Sequence, residues 1–405
     1  MEKYINSVVI VGGGHAAAEA AIALRIQGWE GGIKLISDED VLPYQRPPLS
    51  KGYFHKTVTS AQLLIKKQAL YEKANVDVML GLSVVAIDRL SQAITVSSGA
   101  IIRYSHLIIA TGAQARILNI PGAELPCVSY LRTLNDANNI ITSIKKNSHL
   151  LVIGAGYIGL EIAASARKIG ARVTILESVE RVLSRVTNEQ MSRFYQDLHK
   201  DNGVDLKLNI GIEEIHAIKD GYVAMLHDGS NVNFDHTVVG IGVIPNTGLA
   251  EAAGLECDNG IVVNEYTLTS DPTIYAIGDV SNHPNEFYAR NIRLESVPNA
   301  MEQAKVAAAS ICGKPKIYNS FPWFWSDQYD VKLQTAGLSQ GYDETVVRGD
   351  MADKKFALFY LKEGKVIAVD AINSPKDFMK AKALIPQGLA VSKGKLADTT
   401  KNWFE

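Results

Sequence analysis

Cysteine is scarce in this sequence, and the few cysteines stand far apart. The chain of 405 residues contains three, Cys127, Cys257 and Cys312, and no two of them form a Cys-x-x-Cys pair. Disulfide scaffolds, thiolate-ligated iron–sulfur clusters and paired-cysteine redox centres all need cysteines at close or regular spacing. The sequence therefore argues against all three, and isolated cysteines are typical of a protein in the reducing cytoplasm.

Long hydrophobic runs are also missing. A membrane-spanning helix needs about 20 consecutive apolar residues, and the best candidate, residues 150–164, is interrupted by Glu161 and by glycines. The apolar run at residues 8–11 is followed at once by glycines and is too short for a targeting segment. We therefore expect a soluble, cytoplasmic protein without a membrane partner.

No sign of charge dominates, and no metal-binding pattern is present in the sequence. Lysine and arginine number 41 against 43 aspartates and glutamates, so nothing predicts nucleic-acid binding, although a local basic patch for an acidic protein stays open. The nine histidines never occur in a His-x-x-x-His spacing, and we predict no metal site. Hydrophobic residues make up 47% of the chain, which is enough for a large folded core.

One pattern occurs twice in the sequence. An apolar β-branched run, a glycine turn and an alanine-rich stretch are found at residues 7–19 and again at residues 149–161. The glycines follow the spacing G-x-G-x-x-G/A, in which the turn lets the backbone approach a pyrophosphate and the next helix directs its N-terminus at the anion. Two such βαβ units predict two dinucleotide-binding domains, one for a fixed flavin and one for a diffusing nicotinamide.

An acidic residue at the end of the second strand of each unit is expected to bind a ribose. In the first unit this residue is Asp38, with Glu39 beside it, and in the second unit it is Glu177. A carboxylate there repels a 2′-phosphate, so Glu177 favours NADH over NADPH. Arg181 and Arg185 stand nearby and weaken that preference; they either neutralise a pyrophosphate or lie on a solvated surface.

Two further segments fit a flavin site. Ala110, Thr111 and Gly112 follow a strand-like run at a turn of small residues, and another run ends in Gly278-Asp279. The glycine permits a close approach, and Asp279 is placed to bind the ribityl or phosphate region of the flavin. Each motif alone also occurs in unrelated α/β proteins, but four motifs in this order favour a flavoprotein.

Several longer segments resemble one family. The chain resembles the FAD-dependent, NADH-linked ferredoxin reductases of the putidaredoxin reductase type, within the glutathione-reductase-like flavoproteins. The resemblance covers nearly the whole chain and is carried by residues 43–51, 130–134, 154–161, 240–246, 276–279, 295–300 and 322–328. The segments Arg-Pro-Pro-Leu-Ser-Lys and Pro-Trp-Phe-Trp-Ser-Asp-Gln are specific to this subgroup.

The resemblance implies an α/β fold with two Rossmann-like dinucleotide-binding domains and a C-terminal α+β domain. The FAD-binding domain would comprise residues 1–112 and 241–319. The NADH-binding domain would comprise residues 113–240, and the C-terminal domain residues 320–405. In this last part, two β-rich runs flank Glu363-Gly364, which is typical of a hairpin.

The resemblance also implies where FAD and NADH lie. It places FAD along Gly12, Gly14, Ala16, Asp38, Arg46, Lys51, Val84, Arg132, Asp279 and Val297. The turns and segments quoted above add His15, Ala110, Thr111, Gly112, Gly278 and Ser296, and Trp325 either covers the flavin or belongs to the core with Trp323. NADH would contact Gly154, Gly156, Tyr157, Ile158, Glu161, Glu177, Arg185 and Gly242.

Lys51 and Glu161 are the predicted catalytic residues. In relatives, the lysine after the stiff proline pair lies beside flavin N5 and pairs with the glutamate after the second glycine turn, here Glu161. Hydride transfer needs two stacked rings and excluded water, so the protein has to position and polarise the rings rather than supply an acid or base. The alternatives are a solvated lysine and an ordinary helix charge. Pro298 would begin a helix whose positive N-terminus faces the flavin.

The resemblance further implies an external electron carrier. Residues 47–51 stand where glutathione-reductase relatives have a cysteine pair, so single electrons would leave for a [2Fe–2S] ferredoxin that supplies a cytochrome P450 or a Rieske-type oxygenase. The ferredoxin would dock near Lys66 and Lys305; further candidate cations are Lys67, Arg290, Arg293, Lys314, Lys316 and Lys332. The alternative, with equal weight, is that these are ordinary surface cations. Alternatives are a rubredoxin reductase or NADH oxidase of the same fold, and a redox-sensing module resembling apoptosis-inducing factor.

The role of Lys51 can be tested by substitution. Lys51→Met removes the cation and keeps a side chain of similar length, so NADH-driven flavin reduction should slow at least about tenfold. Stopped-flow loss of the oxidised-flavin absorbance measures this rate. A wild-type rate in the variant would show that Lys51 is an ordinary solvated lysine.

Overall fold

A computed structural model describes residues 6–404 of the chain. The chain divides into two compact units, and each unit is assembled from three stretches of sequence. The first unit comprises Met1–Gln45, Ser60–Gln114 and Ile244–Pro322. The second unit comprises Arg46–Thr59, Ala115–Val243 and Trp323–Glu405.

The first unit is built on a five-stranded parallel sheet that includes the first glycine pattern. Its strands, in spatial order, are Ile274–Ala276, His106–Ile109, Ser7–Val11, Gly32–Ile36 and Asp77–Met79. Neighbouring strands all run parallel, and the order is that of a dinucleotide-binding βαβ sheet. The central strand is buried along most of its length, as expected of a parallel sheet covered on both faces.

Two alanine-rich helices, His15–Gln27 and Val297–Ile311, share a buried cluster with this sheet. Alanine side chains are small, so the helix backbones can approach one another closely. Ser296 caps the second helix with its side-chain oxygen. The helix therefore begins at Val297, and Pro298 is its second residue rather than the predicted first.

Small sheets and short helices complete the first unit. One antiparallel sheet contains Val84–Asp88, Ala93–Val96 and Ile101–Arg103. A second three-stranded sheet contains Ile261–Val262, Ser281–Asn285 and Arg290–Arg293. The short helices are Ser60–Leu63, Gln68–Lys73 and Gly248–Ala252, with a 3-10 turn at Gly278–Val280. The strands Ala113–Ala115 and Val243–Pro245 form a two-stranded sheet.

The second unit repeats the parallel arrangement around the second glycine pattern. Its strands, in spatial order, are Val204–Lys207, Arg172–Leu176, His149–Ile153, His236–Val239 and Val128–Tyr130. These strands are parallel. The accompanying helices are Leu134–Ser143, Tyr157–Ile169 and Glu189–Asp201. An antiparallel sheet of Ile212–Ile218, Gly221–Leu226 and Asn231–Phe234 follows.

A five-stranded antiparallel sheet forms the C-terminal part of the second unit. Its strands, in spatial order, are Trp323–Gln328, Val331–Gly337, Lys365–Ile372, Lys355–Lys362 and Glu344–Asp350. The predicted hairpin around Glu363-Gly364 is present between two of them. The remaining elements are the helices Pro375–Leu384 and Lys393–Ala397 and the 3-10 turns Pro47–Ser50 and Ile385–Gln387.

These observations confirm the predicted α/β fold class. The three-domain division stays a prediction; residues 46–59 belong to the second unit, although the predicted FAD-binding stretch 1–112 includes them. Among the helices of residues 6–404, none is long and apolar enough to cross a membrane. Within the same residues, no group of three or more histidine, cysteine, aspartate or glutamate side chains could hold a metal ion.

A buried carboxylate, Asp370, links the C-terminal sheet to the entry of a helix in the second unit. It is 2% exposed and accepts hydrogen bonds from Thr187 Oγ1 at 2.8 Å, Thr335 Oγ1 at 2.8 Å and Tyr360 OH at 2.7 Å. Burial raises the pKa of Asp370, and these three hydroxyls act in the opposite direction. The cluster therefore fixes residue 187 just before the helix Glu189–Asp201.

Removing one of these hydroxyls should weaken the second unit. Tyr360→Phe leaves the buried Asp370 carboxyl group one donor short, so the free energy of unfolding should fall by about 1–3 kcal/mol. Urea unfolding followed by tryptophan fluorescence measures the change. Tyr195→Phe is the matched control, because the buried Tyr195 hydroxyl has no hydrogen-bond partner among the described residues; an equal loss in both variants would contradict the prediction.

Candidate active site

The first glycine turn lies against the end of a strand. Gly12 has a φ of +128°, and a Cβ at this position would come within 2.2 Å of the Ala110 carbonyl oxygen. Only glycine fits such a turn without strain. A Cβ on Gly14 would meet nothing within 4 Å, so the backbone has open space just before the helix that begins at His15. A pyrophosphate occupies this position in βαβ sites.

The predicted turn at Gly278 lies beside the same helix. Gly278 has a φ of +78°, and a Cβ there would be 3.1 Å from the Ala16 methyl group. Asp279 follows, and its carbonyl oxygen accepts a hydrogen bond from Arg293 Nη1 at 3.1 Å. The first unit thus brings together six of the predicted FAD residues: Gly12, Gly14, His15, Ala16, Ala110 and Gly278.

Two polar side chains that the sequence reasoning missed hold these turns. Gln303 Oε1 accepts hydrogen bonds from Gly278 N at 2.7 Å and from Ser281 Oγ at 2.8 Å. The Asn246 side-chain amide donates to the Thr111 carbonyl oxygen at 2.8 Å, and Thr111 Oγ1 donates to the Asn246 carbonyl oxygen at 3.0 Å. No motif includes Gln303. Asn246 ended a segment used for the resemblance, but nothing in that segment indicated a turn partner.

The other FAD predictions in the first unit lie on separate elements. Asp38 is exposed, two residues beyond the strand Gly32–Ile36, which is the position expected of a ribose-binding carboxylate. Val84 begins a strand of the small antiparallel sheet. Ser296 and Val297 begin the second alanine-rich helix, and Gly112 follows Thr111. Their contacts with FAD stay predictions.

The second glycine turn repeats the geometry of the first. Gly154 has a φ of +100°, and a Cβ there would come within 2.5 Å of the Gly240 carbonyl oxygen. A Cβ on Gly156 would come no closer than 4.0 Å to the same oxygen. The helix that follows begins at Tyr157, and the side chain of Ile158 is exposed. A second helix N-terminus is therefore accessible to an anionic ligand.

Glu177 reaches back from its strand to this turn. Its carboxylate accepts hydrogen bonds from Ala155 N at 2.7 Å and from Val179 N at 3.2 Å, which fixes it beside the glycines. The Arg185 guanidinium lies 3.4 Å from the place of a Cβ on Gly242. The structure therefore joins Glu177 to the glycine turn and joins Arg185 to Gly242.

Arg181 makes several hydrogen bonds within the second unit. Its guanidinium donates to the carbonyl oxygens of Thr187 at 2.9 Å and Ser184 at 2.8 Å, and to Ser192 Oγ at 2.8 Å. These bonds tie the segment after the second strand to the helix that follows it. These contacts give Arg181 a structural role, and a contact with the pyrophosphate stays a prediction.

Lys51 and Glu161 form an ion pair in the second unit. The distance from Lys51 Nζ to Glu161 Oε2 is 2.7 Å, and Ser50 Oγ donates to the same oxygen at 2.6 Å. The Glu161 side chain is 3% exposed, whereas that of Lys51 is 18% exposed. A buried carboxylate is costly unless it is paired and hydrogen-bonded. The two predicted catalytic residues are therefore brought together, with the lysine on the more accessible side.

A strand of the C-terminal sheet provides the other partner of Glu161. Ser326 Oγ donates to Glu161 Oε1 at 2.6 Å, and the ring centroids of Phe324 and Tyr157 are 4.8 Å apart. Residues two apart share a strand face and residues four apart share a helix face. The two contacts therefore show that one face of the strand packs against one face of the helix. Ser326 belongs to a recognised segment, but its role could not be deduced without the tertiary contact.

The remaining FAD predictions lie in the second unit. Arg46 Nη1 donates to the Arg132 carbonyl oxygen at 2.6 Å, so these two residues are brought together. The half-buried ring of Trp325 lies 5.8 Å from that of Trp323, measured between centroids. Lys382 Nζ lies 4.1 Å from the centroid of Trp323, which places Trp323 within the C-terminal packing. The flavin contact of Trp325 stays a prediction.

Comparisons with known proteins agree with the two nucleotide-type sites. Residues 6–304 match the family described as pyridine nucleotide-disulphide oxidoreductase, and residues 323–403 match the one described as reductase C-terminal. The chain belongs to the pyridine nucleotide-disulphide oxidoreductase family. This family binds FAD and uses a pyridine nucleotide, so these two predicted cofactors are confirmed. The two glycine turns fit them, because each has open space at a helix N-terminus.

Relatives of this chain match nearly its whole length. Putidaredoxin reductase CamA of Pseudomonas putida is 43% identical over 97% of this chain and 94% of its own length. A rubredoxin–NAD(+) reductase of the same organism is 38% identical over 91% of this chain and 96% of its own.

Two solved structures are similarly close. The ferredoxin reductase for the CYP199A2 system from Rhodopseudomonas palustris superimposes with a TM-score of 0.95 at 39% identity, covering 99% of this chain and 98% of that one. A covalent putidaredoxin reductase–putidaredoxin complex gives 0.94 at 42% identity, covering 97% and 96%.

The geometry at Glu177 predicts nucleotide selectivity. Glu177→Ala removes the carboxylate that we expect to bind the ribose, so the ratio of kcat/KM for NADH to that for NADPH should fall about tenfold. Steady-state kinetics with both nucleotides and ferricyanide as acceptor measure the ratio. Glu180→Ala removes an exposed neighbouring carboxylate and should keep the ratio; an unchanged ratio in Glu177→Ala would contradict the assignment.

Proposed function

We propose that this chain is an NADH-dependent ferredoxin reductase that delivers single electrons to a [2Fe–2S] ferredoxin serving a cytochrome P450 or a Rieske-type oxygenase. The observation that carries the proposal is the ion pair between Lys51 and the buried Glu161, which lies on the helix that follows the second glycine turn. A cation held beside a nucleotide site polarises a hydride acceptor without taking part in proton transfer.

FAD, when bound, accepts a hydride from NADH and releases electrons singly to a one-electron carrier. The residues of this chain bind, orient and shield the reacting groups. Gly12 and Gly14 admit one pyrophosphate, and Gly154 and Gly156 admit the other. Glu161 holds Lys51 in place by charge. Glu177 selects NADH by its carboxylate, which supports NADH rather than NADPH as the cosubstrate.

The cysteines support an external electron carrier rather than internal disulfide chemistry. All three are free. Burial raises the pKa of Cys127 to about 11, and burial also raises the pKa values of Cys257 and Cys312. Thiols of this kind stay protonated at neutral pH and are poor nucleophiles. Free, unreactive thiols also support a cytoplasmic location.

The names of the relatives support the partner class. A putidaredoxin reductase, a reductase of a CYP199A2 system and a complex with putidaredoxin all concern ferredoxin-type carriers. The second candidate is a rubredoxin reductase, which the relative of that name favours. A comparison of steady-state rates with putidaredoxin and with rubredoxin, both driven by NADH, separates these functions. NADH oxidase activity without any carrier would favour the NADH oxidase. A slow turnover with every acceptor would favour the redox-sensing module.

The proposed docking face includes Lys66 and Lys305. Lys66 Nζ lies 2.9 Å from Glu19 Oε1, and Lys305 Nζ lies 2.6 Å from Glu302 Oε1. The Lys305–Glu302 pair is exposed, and exposed pairs contribute little to stability, so Lys305 can exchange this carboxylate for one of an acidic ferredoxin at low cost. The Lys66–Glu19 pair is less exposed. Arg293 is less suited to this role, because it pairs with Glu295 at 2.8 Å and binds the Asp279 backbone.

Electrostatic docking predicts a salt-dependent rate. Lys305→Ala should lower kcat/KM for putidaredoxin about threefold to tenfold at low salt, and the difference from wild type should shrink as salt is added. NADH-driven flavin reduction should stay at the wild-type rate, since Lys305 has no predicted role in that step. Lys219→Ala, which removes an exposed lysine of the second unit, is the control. A salt-independent wild-type rate would argue against a basic docking face.

A further inference from the structure

A chain of hydrogen bonds leads through the second unit to Glu161. Tyr329 OH lies 3.3 Å from His199 Nδ1, and His199 Nε2 lies 2.9 Å from Gln328 Oε1. Gln328 Nε2 donates to Ser326 Oγ at 3.4 Å, and Ser326 Oγ donates to Glu161 Oε1 at 2.6 Å. Ser326, Gln328 and His199 are at most 1% exposed, so bulk water does not compete with these bonds.

One proton arrangement satisfies every member of this chain. An ionised carboxylate only accepts, so the Ser326 hydroxyl must donate to Glu161 and can accept from the Gln328 amide. The amide oxygen then accepts from His199 Nε2–H, which leaves Nδ1 to accept from Tyr329. Burial lowers the pKa of His199 to about 4, so the imidazole is neutral and has the required acceptor. Every bond points its donor toward Glu161.

The geometry of the strand explains how the row of hydrogen bonds reaches the helix that contains Glu161. Ser326 and Gln328 are two residues apart in the strand Trp323–Gln328 and lie on one face. Successive hydrogen bonds whose donors point in one direction polarise one another. The low dielectric of the protein interior strengthens each of these bonds. A purely structural network would need no common direction, whereas this one ends on the carboxylate that binds Lys51.

We propose that Ser326 and Gln328 are positioning residues for the nicotinamide site, which with His199 keep Glu161 an oriented carboxylate facing Lys51. This inference rests on the proposed function, because it assigns the pair a role in hydride transfer. Loss of the chain would let Glu161 take up a proton at a higher pH, and a neutral Glu161 no longer holds Lys51 by charge.

The titratable groups around Glu161 are few. Lys51 faces it from the segment that ends the 3-10 turn, and Tyr157 lies on its own helix. Tyr195 and His199 come from the helix Glu189–Asp201. Asp327 neighbours Ser326 in the strand, and Asp370 lies in the strand Lys365–Ile372 of the same sheet. Asp370 acts on both tyrosines, as Glu161 does, and Asp327 acts on Tyr195. Burial raises the pKa values of both tyrosines well above their ordinary value, so neither phenol carries a charge near neutral pH.

The first experiment measures NADH-driven flavin reduction against pH in the purified holoenzyme. Ser326→Ala and Gln328→Leu should slow the limiting rate about tenfold near pH 6 and much less near pH 8, because the acid limb of the profile moves to higher pH. Ser326→Thr retains a hydroxyl group and should restore most of the rate. Tyr195→Phe, which removes a buried hydroxyl that makes no hydrogen bond among the described residues, should follow the wild-type profile.

The second experiment needs no NADH. In protein with 13C-labelled glutamate carboxyl groups, the Glu161 signal is identified by its loss in Glu161→Gln. We expect this signal to titrate at a clearly higher pH in Ser326→Ala than in wild type. An unchanged titration, or an equal fall in reduction rate at every pH, would overturn the inference and leave the chain a structural one. Failure of wild-type flavin reduction by NADH would instead overturn the proposed function, and the NMR titration would still decide the inference.

Discussion

The burial of one carboxylate, that of Glu161, determines which groups of the second unit have to lie beside it. Glu161 lies on a helix that packs into the protein core, and a buried charge must be compensated by a cation and by hydrogen-bond donors. The chain meets this need from distant stretches of sequence: Lys51 and Ser50 from the segment after the first strands, and Ser326 from the C-terminal sheet. Because these partners converge on one group, the C-terminal sheet takes part in the site rather than merely covering it.

In the first unit, the main structural constraint is the close approach of backbone segments to one another. Gly12 lies against the Ala110 carbonyl oxygen and Gly278 against Ala16, so each turn exists only where no side chain intervenes. Backbone N–H groups at the start of a helix bind a phosphate without any charged residue. The polar side chain of Gln303 then fixes the turn from behind. The first unit therefore presents a turn shaped by backbone geometry, whereas the second unit adds an ion pair to the helix that follows its glycine turn.

The sequence was sufficient for the features that depend on local spacing. The glycine turns, the parallel strands beside them and the C-terminal hairpin all follow from periodicity and turn chemistry within a few residues, and the structure contains each of them. The start of the second alanine-rich helix was missed by one residue, because Ser296 rather than Pro298 determines it. The structural contacts of Arg181 could not be read from the sequence, because two of its three acceptors are backbone oxygens.

Ser326, Gln303 and Asn246 could not be predicted, for a common physical reason. Each is an ordinary polar residue whose partner is far away in the chain, so its role depends on the register of a strand or the rotation of a helix. In the strand Trp323–Gln328, the conspicuous tryptophans occupy one face, and the inconspicuous serine and glutamine occupy the other. The tryptophan face of the strand, which is conspicuous in the sequence, is therefore not the face that contacts Glu161.

The two buried carboxylates of the second unit show why one of them marks a reactive site. Asp370 is surrounded by three neutral hydroxyls and burial raises its pKa, which is the environment of a structural cross-link. Glu161 is equally buried but is paired with a lysine that stays partly exposed. A buried anion that holds a cation toward accessible space can stabilise charge on a bound group, which is the role proposed for Lys51 in hydride transfer to the flavin. The difference between the two lies in the partner, since both carboxylates are almost fully removed from water.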